Sequence, residues 1–227
     1  MADELARTLR SVLRPVSKVA FRPDVHGSEN VPSTGPVILA VNHLSFVDSF
    51  LVPLVTPRRV SFMAKQEYFD AGGGPKQWLT RTFLTGIDAI PVPRGGFRAA
   101  QESLEIALRL LERGGVFGIH PEGSRSRDGR LYRFRTGVAW LAIASGAPVV
   151  PVAVLGTERV QPVGSRMPRP GKVTVRFGTP LRFAPPADGR LAPARRAAAD
   201  QIMAATAALS GQELAGEYNE LSSGTAL

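Results

Sequence analysis

From residue 30 onward, apolar positions run either continuously over a few residues or at helical spacing, and the two patterns alternate along the chain. PVILAV at 36–41 is an uninterrupted apolar run and predicts a buried strand. A helix is expected from Ser45 to about Val55, with Ser45 as its N-cap and Asp48 as the capping-box partner. Strand-like residues follow at 60–64, a helical pattern at 75–84, and a strand at 87–92 whose Pro91 suits an edge or bulge. Phe97, Ala100, Leu104, Ala107, Leu108 and Leu111 make a helical core stripe that Gly114 and Gly115 end. Strands at 116–119, 149–154 and 172–177 and helices at 136–144 and 193–209 complete the pattern. This alternation predicts one α/β domain, a mixed, mostly parallel sheet covered by helices. The expected divisions are an N-terminal segment at 1–26, the domain at 27–210 and a loose C-terminal tail at 211–227.

The N-terminal segment has its own pattern. At the helical period Leu5, Leu9, Val12, Leu13, Val16 and Ala20 share one side, with Arg7, Arg10, Arg14 and Lys18 on the other. A basic amphipathic helix of this kind suits the headgroup region of an anionic membrane, or packs on the domain with a solvated basic face. Pro15 is expected to kink or split it. Charges recur through residues 3–22, so no apolar core of a signal peptide is present there. The uncharged stretch 137–157 is about long enough for a membrane span, but Ser145-Gly146-Ala147-Pro148 breaks it, so helix, turn and buried strand is the expected parse.

Composition narrows the classes. Hydrophobic residues at 44% and charged residues at 21% describe a globular protein, neither a disordered chain nor a polytopic membrane protein. Lys+Arg 28 against Asp+Glu 19 leaves +9, which points to anionic partners: nucleic acid, phosphorylated small molecules or acidic lipid. The arginines are not interleaved with aromatics in a nucleic-acid-binding motif, so no nucleic-acid partner is expected. Without cysteine, thiol catalysis, disulfides and thiolate metal sites are absent, leaving His26, His43 and His120.

Chemistry-bearing residues gather where predicted strands end. In Asn42-His43-Leu44-Ser45-Phe46-Val47-Asp48, the histidine and aspartate diverge on a regular helix but can pair across a loop and first helical turn; otherwise His43 is an ordinary turn residue and Asp48 only a capping partner. An imidazole held by a carboxylate is a general base fixed in one tautomer. His120-Pro121-Glu122-Gly123-Ser124-Arg125-Ser126-Arg127 again follows a strand; it offers a glycine for close approach, a hydroxyl and a guanidinium fork for an anion. Arg125, Arg127, Arg130, Arg133 and Arg135 also fit a solvated basic turn.

With IPVPRG at 90–95 and VPVAVLG at 150–156, these blocks resemble, in type, order and spacing, the four motifs of the glycerolipid acyltransferases that include 1-acylglycerol-3-phosphate acyltransferases. FMAKQE at 62–67 and FRTG at 134–137 are similar to two further family segments, so the resemblance covers about residues 27–180. It implies transfer of a fatty acyl group from acyl-CoA or acyl carrier protein to the free hydroxyl of a lysophospholipid, giving phosphatidic acid when the acceptor is lysophosphatidic acid. His43 would be the base and Asp48 would orient it, with attack on the thioester direct. Glu122, Gly123, Ser124 and Arg125 would form the acceptor block, Arg125 at the phosphate and Glu122 ordering the loop or holding a glycerol hydroxyl. Arg94 and Lys65 are further phosphate candidates. No metal and no bound cofactor is implied, and the basic N-terminal segment implies a peripheral position on the cytoplasmic face of the membrane, without a span.

His120 departs from the family's phenylalanine, as Ser124 does from threonine and Arg135 from lysine. His120 either reshapes or titrates beside the acceptor pocket or fills an aromatic's space. His26 reads as a surface residue; Trp78 and Trp140 read as packing groups, with Trp78 and Phe83 also placed to line an acyl channel. Another lipid acceptor, or hydrolysis with water in place of the acceptor, remains compatible with these residues.

Overall fold

A computed structural model describes residues 2–70, 74, 81–82, 84–85, 89–92, 96–165 and 167–220. Helix α1 (Ala2–Phe21) leads into β1 (Asp24–His26), β2 (Val37–Val41), α2 (Asp48–Val55), β3 (Val60–Lys65) and β4 (Ile90–Val92). Then come α3 (Gly96–Glu112), β5 (Val116–Ile119), α4 (Gly137–Ser145), β6 (Val149–Leu155), the single turn α5 (Thr157–Val160), β7 (Thr174–Phe177) and α6 (Leu191–Ser210). The sheet order is β1-β7-β6-β2-β5-β3-β4, parallel throughout except that β7 runs antiparallel to β6.

All five residues of β2 are buried, because both faces of the central strand are covered. Side chains alternate across a strand, so Val37, Leu39 and Val41 join one core with Leu51, Val52 and Phe62, while Ile38 and Ala40 join a second with Leu111, Leu141 and Ile202. Each such aliphatic side chain contributes about 1.5–3 kcal/mol on full burial. The first core lies against α2 and the second against α3, α4 and α6. Pro91 does fall on an edge strand, where its missing N–H breaks no ladder.

Differences from expectation have local causes. β1, a three-residue strand without an apolar run, escapes the pattern and is held by its pairing with β7. α2 starts at Asp48 rather than after Ser45, because the Ser45 hydroxyl turns to Gln161 and takes the Val47 N–H. α1 continues through Pro15, whose ring sits on the exposed side. Its faces also divide differently. Arg14 donates to the Leu54 and Thr56 carbonyls at the end of α2, at 3.0 and 3.1 Å, while Val12, Val16 and Val19 are exposed. The stretch 137–157 is helix, left-handed Gly146 and buried strand. No helix among the described residues is long and apolar enough to cross a membrane.

The tail expected to be loose is anchored as far as residue 220. Leu131 donates its N–H to Glu213 and accepts from Ala215, and Arg133 donates its N–H to Glu217. The expected helix at 75–84, with Trp78 and Phe83, lies largely outside the described residues, as do residues 221–227.

Candidate active site

Strands β2 and β5 are adjacent and parallel, but α2 follows β2 onto one face of the sheet and α4 follows β5 onto the other. Such a divergence opens a crevice at the carboxyl ends of the strands. Ala40 pairs with Ile119, so residues 41–43 emerge beside residues 120–122. Register thus brings the two motifs together.

Asn42 fixes the exit from β2. Its side chain accepts the Val154 N–H at 2.7 Å and donates to the Val154 carbonyl at 3.0 Å, clamping the ends of β2 and β6. The same amide nitrogen donates to Gln212 Oε1 at 2.7 Å. The next residue is His43.

His43 and Asp48 pair as the loop geometry requires. Nδ1 of His43 lies 3.0 Å from Asp48 Oδ2, which also accepts the N–H groups of Leu44 and Ser45 at 2.7 and 2.8 Å. Asp48 is fully buried, and its Oδ1 has no partner among the described residues. The carboxylate places the imidazole proton on Nδ1 and leaves Nε2 as the acceptor. The His43 side chain keeps 15% of its surface exposed, enough for its outer edge to meet a substrate.

His120 supports this base from one side. The two imidazoles stack at 3.8 Å and 10°, and Phe62 lies 5.1 Å from His120 on a tilted plane. Phe62 reaches it across Gly118, where a Cβ would stand 2.2 Å from the phenyl ring. The carbonyls of Val41 and Asn42 lie 3.1 and 3.3 Å from His120 Nδ1, so that nitrogen carries the proton; Nε2 accepts the Ser49 hydroxyl at 3.0 Å. Burial pushes the His120 pKa down to about 3, with His43 adding to the shift and Asp48 opposing it. A neutral ring therefore lies against the base. His120 does more than fill an aromatic's volume, since both its nitrogens are engaged.

Glu122 is buried and orders the loop. Oε1 accepts the His43 N–H at 2.8 Å and Oε2 the Tyr132 N–H at 2.9 Å. Burial pushes its pKa up to about 7, although those two donors pull the other way. Gly123 turns the chain at φ +80°, Ser124 is half-buried and Arg125 is exposed; Ser126 donates its N–H to the His43 carbonyl at 2.7 Å. Lys65 ends β3 in register with Val92, while Arg94 lies outside the described residues.

Several residues of the site carry no motif signal. Ser49, Gln212, Tyr218 and Asn219 reach it from α2 and from the tail. Asn42, by contrast, opens the motif block itself, as a polar residue closing a wholly apolar strand.

A doubly wound sheet with a histidine–aspartate pair at its central crevice defines the class, and the family described as Acyltransferase matches residues 22–155: the chain belongs to that family. Among curated relatives, the chain is 30% identical over 146 residues to a chloroplast 1-acyl-sn-glycerol-3-phosphate acyltransferase of Brassica napus, covering 64% of this chain and 40% of that protein. It is 31% identical over 162 residues to the 1-acyl-sn-glycerol-3-phosphate acyltransferase of Bacillus subtilis, covering 70% of this chain and 74% of that one. The crystal structure of the 1-acyl-sn-glycerophosphate acyltransferase PlsC from Thermotoga maritima superposes with a TM-score of 0.62 at 25% identity, over 89% of this chain and 77% of that chain. The chain spans less than half the length of the Brassica napus relative.

Proposed function

We propose that this chain transfers a fatty acyl group from a thioester, acyl-CoA or acyl carrier protein, to the free hydroxyl of 1-acyl-glycerol-3-phosphate, giving phosphatidic acid. The observation that carries the reading is the bond from His43 Nδ1 to Asp48 Oδ2, which leaves Nε2 as a base at the mouth of the crevice. The activities for which the relatives are named agree with it. Nε2 accepts the acceptor hydroxyl proton as that oxygen attacks the thioester carbonyl carbon. Asp48 stabilises the imidazolium so formed. When the tetrahedral intermediate collapses, the C–S bond breaks and the imidazolium returns the proton to the sulfur, so ester and thiol leave and His43 is restored. Arg125 meets the acceptor phosphate through charge-assisted hydrogen bonds.

The test is a mass-spectrometric transfer assay with purified protein, each thioester donor, and lysophosphatidic acid against unphosphorylated and sugar-linked acceptors. Phosphatidic acid formed only with lysophosphatidic acid supports the reading. Product only with another acceptor moves the pathway, and thioester loss without acceptor replaces transfer by hydrolysis.

The reading also puts the protein peripherally on the cytoplasmic face of the membrane, its acceptor and product being lipids. It rests on the exposed Val12, Val16 and Val19 and on the net charge of +9, suited to an anionic leaflet. Replacing the three valines by serine is expected to release the protein from liposomes containing phosphatidylglycerol with its melting temperature kept. Unchanged co-sedimentation would move the contact elsewhere.

A further inference from the structure

Within the loop at 120–135 Asp128 ties Ser126, Arg130 and Tyr132 together, but the Ser124, Arg125 and Gly129 carbonyls find their side-chain partners outside it. Glycines with positive φ, Gly123 at +80° and Gly129 at +84°, stand near either end of its outer part, and Gly123, Arg125, Arg127, Asp128 and Gly129 are all exposed. Arg125, Arg127, Arg130, Arg133 and Arg135 repel one another within it. Fixing such a segment costs backbone entropy at every residue. Contacts outside the loop must offset that cost before an acceptor arrives.

Residues 211–220 supply them. Asn219 Nδ2 donates to two consecutive loop carbonyls, Ser124 at 3.2 Å and Arg125 at 3.1 Å, fixing the peptide planes on either side of the Arg125 Cα. The Asn219 carbonyl accepts from Arg135 Nη2 at 3.0 Å. The Tyr218 ring lies 5.3 and 5.5 Å from the guanidinium carbons of Arg133 and Arg135, its hydroxyl accepting from Arg196 at 3.0 Å. Gln212 bridges the two motifs: Oε1 accepts from Asn42 at 2.7 Å, and Nε2 donates to the Gly129 carbonyl at 2.7 Å. The tail thereby sorts the arginines. It engages Arg133 and Arg135, Asp128 takes Arg130, and Arg125 and Arg127 remain exposed on the crevice loop.

We propose that residues 211–220, beyond the region at 22–155 that matches the family, are part of the acceptor site: Gln212, Tyr218 and Asn219 are positioning residues that hold the loop ready for a phosphorylated acceptor. The inference rests on the acyl-transfer reading above. A loop that is only fractionally in its competent shape weakens apparent binding by that fraction, so the strap acts on the acceptor and not on the thioester.

Two readouts test it on the full chain carrying Asn219→Ala. Hydrogen exchange in peptides covering 123–131 needs no substrate and is expected to quicken roughly tenfold, with the core strands unchanged. In the transfer assay the acceptor KM is expected to rise roughly tenfold while the donor KM and kcat stay within about twofold. Unchanged exchange at 123–131, or equal changes in both KM values, overturns the proposal. A wild-type protein without acceptor-dependent transfer removes the reading of function instead, and exchange alone then decides whether the tail holds the loop.

Discussion

The loop after β2 and the loop after β5 meet at the same crevice but are held in opposite ways. In the first, the donors that Asp48 Oδ2 gathers lie at most five residues from it in the chain. In the second, the outer carbonyls are held by Asn219, 95 and 94 residues away, and Glu122 reaches the His43 N–H across 79. Local closure orders few residues per bond made, so the pairing of His43 with Asp48 is largely a product of its own stretch of chain. The outer part of the second loop is instead tied down by residues far along the chain. On the proposed reading, the step that requires fixed angles falls to the first loop and acceptor recognition to the second.

Cutting the local loop at its centre is expected to have the largest effect. His43→Ala should lower turnover by roughly 10³-fold, the scale of a positioned general base, with the melting temperature close to that of the wild type. Steady-state assays alongside calorimetry check this, and near-normal turnover would remove the base. Glu122→Ala strikes the junction between the loops. It orphans the His43 and Tyr132 N–H groups, and a loss of about 2 kcal/mol is expected from urea unfolding.

The third test separates the two loops by pH. The folded-state pKa of His120, about 3, lies below its ordinary 6.5, so the unfolded chain binds more protons between those values and stability rises with pH there. The value for Glu122, about 7, lies above its ordinary 4.5, so stability falls as pH rises through that window. From 4.5 to 6.5 the two slopes oppose. In His120→Phe the Glu122 slope is no longer opposed, and unfolding free energies from urea titrations should fall between pH 4.5 and 7 at up to about 1.4 kcal/mol per pH unit, against a flatter wild type. Matching profiles would deny the opposition. The smallest effect is expected for the exposed Arg125→Ala: an acceptor KM raised about tenfold, from one lost charge-assisted contact, with unfolding unchanged. An equal rise for the donor would return Arg125 to structure.

The same contrast explains what was legible in the sequence. His43 and Asp48 were readable because their pairing is short-range, and the buried β2 and β6 because apolar runs report burial directly. β1 was not, since a three-residue strand is made by its partner. The tail read as loose because polar residues and glycines carry no period, and nothing local in QELAGEYNE reveals that Asn219 meets Ser124. Arg14 was assigned by its charge to an open basic face, whereas the carbonyls that end α2 claim it. His120 was recognisable as a departure, but its stacking on His43 depends on the register of β2 with β5.

The reach of Asn42 also sets an order on biosynthesis. A chain that leaves the ribosome N-terminus first carries His43 and Asp48 out early, yet Asn42 must wait 112 residues for Val154 and 170 for Gln212. His43 and Asp48 are thus synthesised well before the residues that hold the neighbouring strand end and the 120–135 loop. A chain stalled at Ser210 would present that loop without its strap, so the crevice is complete only once Asn219 has been made.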